Sequence, residues 1–168
     1  MSNLQSSLEQ NKSEPKASRP YIPGYGIPTN VKGTLPWSHV GERMEQSRNY
    51  WVGTVGPDGR PHVVPVWGVW VEGTLCFGGG QDTRWVRNLA ANPRVAVHLE
   101  SGDDVVILEG VVERITDPDH PLVARIDAAS KAKYQMGSGV PCWVLRPRVA
   151  FAWSKFPDNT TRWLFSEG

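Results

Sequence analysis

Tyr50 to Phe77 reads YWVGTVGPDGRPHVVPVWGVWVEGTLCF, and this stretch decides the fold. Tyr50–Val55 has the β-branched and aromatic content of a strand. Pro57-Asp58-Gly59 follows as a tight-turn signal: proline presets φ, aspartate bonds the nearby backbone, and glycine takes the unusual φ. Pro61–Val71 is the returning strand. Pro65 has no N–H for a ladder, so this strand bends, bulges or lies at a sheet edge there. Glu72-Gly73 makes a second tight turn into Thr74–Phe77. Three strands joined by such turns form an antiparallel meander.

The meander runs into CFGGGQDTRWVRNLAANPRVAV, residues 76–97. Gly78, Gly79 and Gly80 end the third strand, and a short helix opens near Asp82-Thr83, where either side chain can cap it. Glycines let backbone N–H groups turn toward a ligand, and a helix N-terminus carries unpaired N–H groups and a positive end. Arg84 and Arg87 stand three apart and share a face. The unit reads either as an anion cradle suited to a phosphate or as a plain strand–turn–helix link with surface arginines.

Upstream, Leu35-Pro36-Trp37-Ser38 starts a helix reaching Asn49, with Ser38 as cap and Val40 and Met44 on the apolar stripe. Downstream, Arg94–Glu100 alternates, with Val95, Val97 and Leu99 on one face. Asp104–Arg114 is a long strand, apolar on both faces at Val105–Leu108, which suits a barrel wall covered from outside. Residues 119–135 form a helix with Leu122, Val123, Ile126 and Ala129 inward, ended by Gly137 and Gly139. Cys142–Trp153 and Thr161–Phe165 are the closing strands. Many antiparallel signals and few helices are satisfied by a small closed barrel, which removes sheet edges. The expected class is mainly β: a six- to seven-stranded antiparallel barrel with a few helices.

The 168 residues suffice for one sizeable core, and a net charge of +1 gives no field to gather nucleic acid. Residues 1–35, polar and then rich in Pro and Gly, read as a disordered or extended arm before a body at 36–168. The tyrosines and isoleucines of residues 21–27 are candidates to pin the arm to the body or to a partner subunit. Cys76 and Cys142 fall in strands as free thiols. His62 and His98 lack metal-ligand spacing, so no metal site is expected. No run reaches transmembrane length and no signal-peptide core is present, so the cytoplasm is the expected compartment. The eight tryptophans suit pocket walls and interfaces; Trp67 and Trp70, three apart on a strand, face opposite sides.

Several pieces in fixed order carry a family likeness: Asn49-Tyr50-Trp51 with Thr54-Val55, the run Pro57–His62, Pro65-Val66-Trp67, Phe77, Arg87-Asn88-Leu89 with Ala91–Val95, Glu109-Gly110, and Thr161-Arg162-Trp163 with Phe165. Together they resemble the pyridoxamine 5'-phosphate oxidase-like flavin-binding split-barrel superfamily. Within it they are most similar to the flavin/deazaflavin oxidoreductases found mainly in actinobacteria. The resemblance spans residues 36–166. It implies a split barrel and a homodimer with cofactor at the subunit interface. Val64, Pro65, Val66 and Trp67 would line the ring; Gly79, Gly80, Thr83, Arg84 and Arg87 would surround the phosphate. His62, Lys133 and Arg162 are further candidates for cofactor contact, and no catalytic side chain stands out.

The implied activity is a reductase passing hydride from reduced coenzyme F420 to a small planar or conjugated acceptor. The alternatives are an FMN-dependent oxidoreductase of the same type and a non-catalytic flavin- or haem-binding protein. One position departs from the pattern. Many relatives have Arg-Lys where this chain has Arg84-Trp85, and that lysine helps bind cofactor phosphate. An indole cannot replace an ammonium, although it can stack on a ligand. The departure either weakens the cofactor assignment or shifts the load to Arg84 and Arg87.

Overall fold

A computed structural model describes residues 14–166. In chain order the elements are β1 (Ala17–Ser18), α1 (Trp37–Gln46), β2 (Tyr50–Val55), β3 (Pro61–Val66), β4 (Gly68–Val71), β5 (Thr74–Phe77), α2 (Arg84–Ala91), β6 (Arg94–His98), β7 (Val105–Ile115), α3 (Val123–Tyr134), β8 (Cys142–Trp153) and β9 (Thr161–Leu164).

The single returning strand expected from Pro61 to Val71 is two strands, broken at Trp67. β3 stays on β2, with Val55 opposite Pro61, while β4 pairs with β5, with Gly68 opposite Phe77. β5 then pairs with β8, β8 with β7, β7 with β6, and β6 with β2. The bent β3/β4 ribbon therefore closes a barrel, and all these pairings are antiparallel. Pro65 is tolerated because β3 ends the hydrogen-bonded strand order. Gly68 is required at the break: a Cβ there would sit 2.9 Å from the Cys76 carbonyl oxygen. The architecture is thus mainly β, an antiparallel split barrel. β9 lies beside the second half of β8, and β1 adds to β9.

Alternation fills the interior. Val52, Leu75, Val97, Leu108, Leu145 and Trp163 are fully buried, and burying an aliphatic side chain of this kind contributes about 1.5–3 kcal/mol. A second, smaller core forms where Leu122 and Ile126, beside and on α3, pack with Val69, Cys76 and Val144 from β4, β5 and β8. That is why Cys142–Leu145 is buried on both faces.

The helix ends differ from the sequence expectation. α1 follows Pro36 without a side-chain cap, and Ser38 lies inside it. The helix is instead anchored by Arg43 and His39, which reach Asp104 at 2.6 and 3.2 Å. Thr83 occupies the N-cap position of α2 without capping it, because its hydroxyl donates back to the Gly80 carbonyl at 2.7 Å. α3 begins only at Val123 and ends before the glycines, at Gln135 with φ 59°.

Residues 1–13, read as the first part of a polar tail, lie outside the described residues. From residue 17 the arm is attached to the body. Arg19 donates to the carbonyls of Asn30, Lys32, Asp158 and Thr160 at 2.6–2.9 Å. A guanidinium satisfying loop carbonyls, rather than the tyrosines and isoleucines, is the fastening: Tyr21 is 85% exposed, and Tyr25 only touches Phe156 edge-on. Among the described residues no helix is long and apolar enough to cross a membrane.

Candidate functional site

A cavity of about 460 Å³ opens between the end of β5, the loop Gly78–Gln81 and the segment that follows α3. Trp67, Phe77 and Tyr134 give it flat aromatic surface, the loop glycines give it exposed backbone, and no charged side chain lines it.

The aromatic wall follows from the strand break. In a two-residue hairpin the residues flanking the turn exchange both hydrogen bonds, and pairs then alternate. Val71 opposite Thr74 is the bonded pair nearest the turn, so Gly68 opposite Phe77 is a non-bonded one. The polar groups of Gly68 therefore face away from β5, toward α3. The Gly68 N–H donates to the Tyr134 hydroxyl at 3.0 Å, and that hydroxyl donates to the Arg48 carbonyl at 2.6 Å. Lys133 Nζ donates to the Gly68 carbonyl at 2.9 Å and to the Tyr50 hydroxyl at 2.6 Å. Burial, reinforced by the charge of Arg48, pushes the Lys133 ammonium down to about 8. Burial also raises the Tyr50 and Tyr134 hydroxyls.

So clamped, Trp67 stacks on Tyr134 with ring centres 4.6 Å apart and planes 1° from parallel. The Arg48 guanidinium lies 5.1 Å from the Trp67 ring centre. Trp67 remains 46% exposed, a fixed flat surface at the cavity.

The loop is shaped by Trp85. Its indole is 5% exposed and packs against Phe77 at 5.7 Å between ring centres. A Cβ on Gly79 would fall 2.4 Å from Trp85 Cζ2, so that position accepts only glycine while the indole stays. Trp85 is therefore a buried support beneath the loop and has no free face to stack on a ligand. The backbone N–H groups of Gly79 and Gly80 have no partner among the described residues. Gln81 Nε2 donates to the Gly79 carbonyl at 3.2 Å, and Arg114 donates to Gln81 Oε1 at 2.9 Å. The Arg114 guanidinium lies 5.8 Å from the ring centre of Trp143, its cross-strand neighbour.

Of the residues singled out in the sequence, Trp67, Gly79 and Gly80 line the cavity. Val66 is buried next to Trp67 in the chain; Lys133 and Thr83 buttress the wall and the loop from behind. Val64 and Pro65 stand on β3 opposite Val52 and Trp51. Arg84 and Arg87 are exposed on α2 and do not line the cavity. The charge of Arg84 reaches Asp58 in the β2–β3 turn, whose carboxyl is held below its usual range chiefly by Arg60. His62 lies in a second groove, of about 550 Å³, on the barrel's outer face with Arg94, Glu109 and Arg148. Arg162 sits on β9 opposite Phe151 and donates to Ser18 Oγ at 3.2 Å. That position is about 25 Å along β8 from Trp143 at the loop end.

Arg48, Gln81 and Arg114 are what the sequence reading missed, whereas Tyr134 is legible with Lys133 as a pair that recurs in the family at the end of the long helix. Arg114 meets the loop through the β7–β8 register, in which Arg114 faces Trp143, and no local pattern encodes that.

Fold and cavity together define an antiparallel split barrel with a cavity against its glycine loop. The chain belongs to the pyridoxamine 5'-phosphate oxidase family, whose model matches residues 38–154. Among solved structures, a conserved hypothetical protein from Mycobacterium tuberculosis is 21% identical, with a TM-score of 0.63 over 74% of this chain and 88% of that one. An F420 reductase is 28% identical, with a TM-score of 0.51 over 65% of this chain and 93% of that one. The haem storage protein from Vibrio cholerae is 17% identical, with a TM-score of 0.54 over 66% and 88%. The first and third of these establish likeness of fold alone. No curated protein gives a significant match.

Proposed function

We propose that the protein binds FMN in the cavity beside the glycine loop and acts as an FMN-dependent oxidoreductase on a small planar acceptor. One observation carries the reading: the fixed, half-exposed indole of Trp67 shares a cavity with the unpaired amides of Gly79 and Gly80. A flat ring and a phosphate ask for those two features side by side. The volume, about 460 Å³, lies in the range of small-molecule sites. A bound flavin would supply the two-electron chemistry. The chain's own part is to hold the ring against Trp67, offer amides to the phosphate and exclude water with the segment after α3.

Family membership supports FMN, the cofactor of the family's oxidase type. The absence of Lys and Arg from the lining favours FMN over F420, because the oligoglutamate tail of F420 asks for a basic rim. F420 remains the rival the experiment must separate, given the F420 reductase among the similar structures.

A homodimer belongs to the same proposal. The outer sheet face exposes Val55, Val63 and Leu164 at 37%, 54% and 57%, and a second copy would cover them. A second reading, haem binding, has one observation in its favour: His62 and two arginines border the outer groove, whereas no histidine lines the cavity.

The purified full chain titrated in parallel with FMN, F420 and haemin separates these readings by visible absorbance and tryptophan quenching. Saturable FMN binding in the micromolar range, tighter than F420, supports the proposal. F420 binding without FMN restores the deazaflavin reading, a Soret shift with haemin alone moves the function to the outer groove, and binding of none removes all three.

A further inference from the structure

The cavity presents amides to an anion but no cation of its own. The nearest basic side chain bonded to the glycine loop is Arg114, which arrives from β7. Its guanidinium makes one hydrogen bond to a side chain, the 2.9 Å contact to Gln81 Oε1, and no ion pair among the described residues. A guanidinium has five N–H donors in a planar fork, and a neutral amide oxygen is a weak guest for it. Bonds from Arg to an oxyanion are roughly twice as strong as bonds between neutral groups.

Gln81 is itself part of the cavity lining. Its oxygen accepts from the guanidinium while its nitrogen donates to the Gly79 carbonyl, so the side chain ties the fork to the cavity's own loop. Beside it, Trp143 stays under the Arg114 guanidinium, and its buried Nε1 has no hydrogen-bond partner among the described residues. The loop amides without a protein partner and a guanidinium bonded to a neutral amide oxygen together favour an anion as guest.

We propose that Arg114 is the phosphate-binding cation of this site and that the Gln81 side chain holds the place of a phosphate oxygen until a phosphate ester displaces it. The inference rests on the flavin reading for the identity of the ester, while its own claim concerns the phosphate group alone. It accounts for Arg84-Trp85. With Trp85 buried as the support of Gly79, that position offers no cation to the loop, and β7 supplies one instead through Arg114. On binding, the Arg114–Gln81 bond is exchanged for a charge-assisted one, and Gln81 is released toward the cavity.

A structural role for the same contacts predicts the reverse order of variants, which makes the test decisive. If Gln81 holds the ligand's place, Gln81→Ala binds FMN as tightly as wild type or a few-fold tighter. Gln81→Glu then fills the fork with a carboxylate and weakens FMN by about tenfold or more. If Gln81 is only a clip for the loop, Gln81→Glu is the benign change and Gln81→Ala the damaging one. Arg114→Gln is expected to weaken FMN about tenfold while leaving riboflavin, which lacks the phosphate, unchanged.

A flavin-free readout accompanies these. Inorganic phosphate in the millimolar range is expected to raise the melting temperature of wild type and Gln81→Ala, and to leave Arg114→Gln unmoved. FMN binding that is indifferent to all three substitutions overturns the inference and leaves the flavin reading standing. A phosphate-dependent rise lost in Arg114→Gln, in a chain that binds no flavin, supports the inference and overturns the flavin reading. No response to phosphate and none to FMN overturns both.

Discussion

Replacing Tyr134 by Phe removes one oxygen from the centre of the site and keeps the ring that stacks on Trp67. That oxygen receives the Gly68 N–H at 3.0 Å and donates to the Arg48 carbonyl at 2.6 Å. Gly68 is in a non-bonded position of the β4–β5 ladder and is buried, so its N–H has no second partner to turn to. An orphaned buried donor costs about 1–3 kcal/mol, and the bond lost at the partly exposed Arg48 carbonyl adds about 0.5–1.5 kcal/mol. The Gly68 carbonyl keeps Lys133 at 2.9 Å, which bounds the loss. The expected destabilisation is therefore about 2–3 kcal/mol. For a domain of this length that lowers Tm by roughly 4–12 °C. Thermal denaturation followed by far-ultraviolet circular dichroism reads it directly. Tyr134→Leu, which also loses the stack, should in addition alter the near-ultraviolet signal of Trp67, which Tyr134→Phe should largely preserve. A Tm for Tyr134→Phe within about 1 °C of wild type would refute the clamp as the support of the cavity wall.

Three further outcomes follow from the geometry. Gly79→Ala places a Cβ 2.4 Å from Trp85 Cζ2 and should cost about 1–3 kcal/mol in urea denaturation; adding Trp85→Leu should make the Gly79→Ala step less costly, and strict additivity would contradict the interlock. Lys133 is held at about 8 against its ordinary 10.5. Below pH 8 folded and unfolded chains both carry the charge; between pH 8 and 10.5 the unfolded chain keeps its proton longer, so this lysine's contribution to stability rises with pH. The stability of wild type relative to Lys133→Met should thus increase from pH 7.5 to pH 9.5, and a decrease would contradict the assignment. Burial pushes the Cys76 thiol up to about 11 and raises that of Cys142, so neither should react with a thiol-specific chromogenic disulfide at pH 8 until the chain is unfolded; rapid native labelling would place a thiol at the surface.

Much of the barrel was legible because its signals are local. Alternation and turn chemistry set Tyr50–Val55, Thr74–Phe77 and Cys142–Trp153, which form strands with those bounds. A bend or edge was legible at Pro65, but the parting of one expected strand into two at Trp67 was not. Its cause is the close approach of Gly68 to Cys76 across the β4–β5 hairpin and the grip of Lys133 and Tyr134, which lie more than sixty positions away in the chain. The helix caps failed for a related reason: the Thr83 hydroxyl found the Gly80 carbonyl, a competitor that propensity does not see. At the site, the glycines and Trp67 could be read from their motifs. Arg48 and Arg114 come from other elements and meet Trp67 or the loop only through register and packing, and Gln81, within the loop, shows its role only once Arg114 is beside it.

The central claim is that the glycine loop receives the phosphate of a flavin whose ring rests on Trp67. Paired titrations of the full chain with FMN and with riboflavin, at fixed ionic strength and followed by tryptophan quenching, test it most directly, since the two ligands differ only in the phosphate. The account predicts saturable FMN binding at least about tenfold tighter than riboflavin, the worth of one or two charge-assisted hydrogen bonds. Equal affinity for the two, or binding of neither, would contradict it.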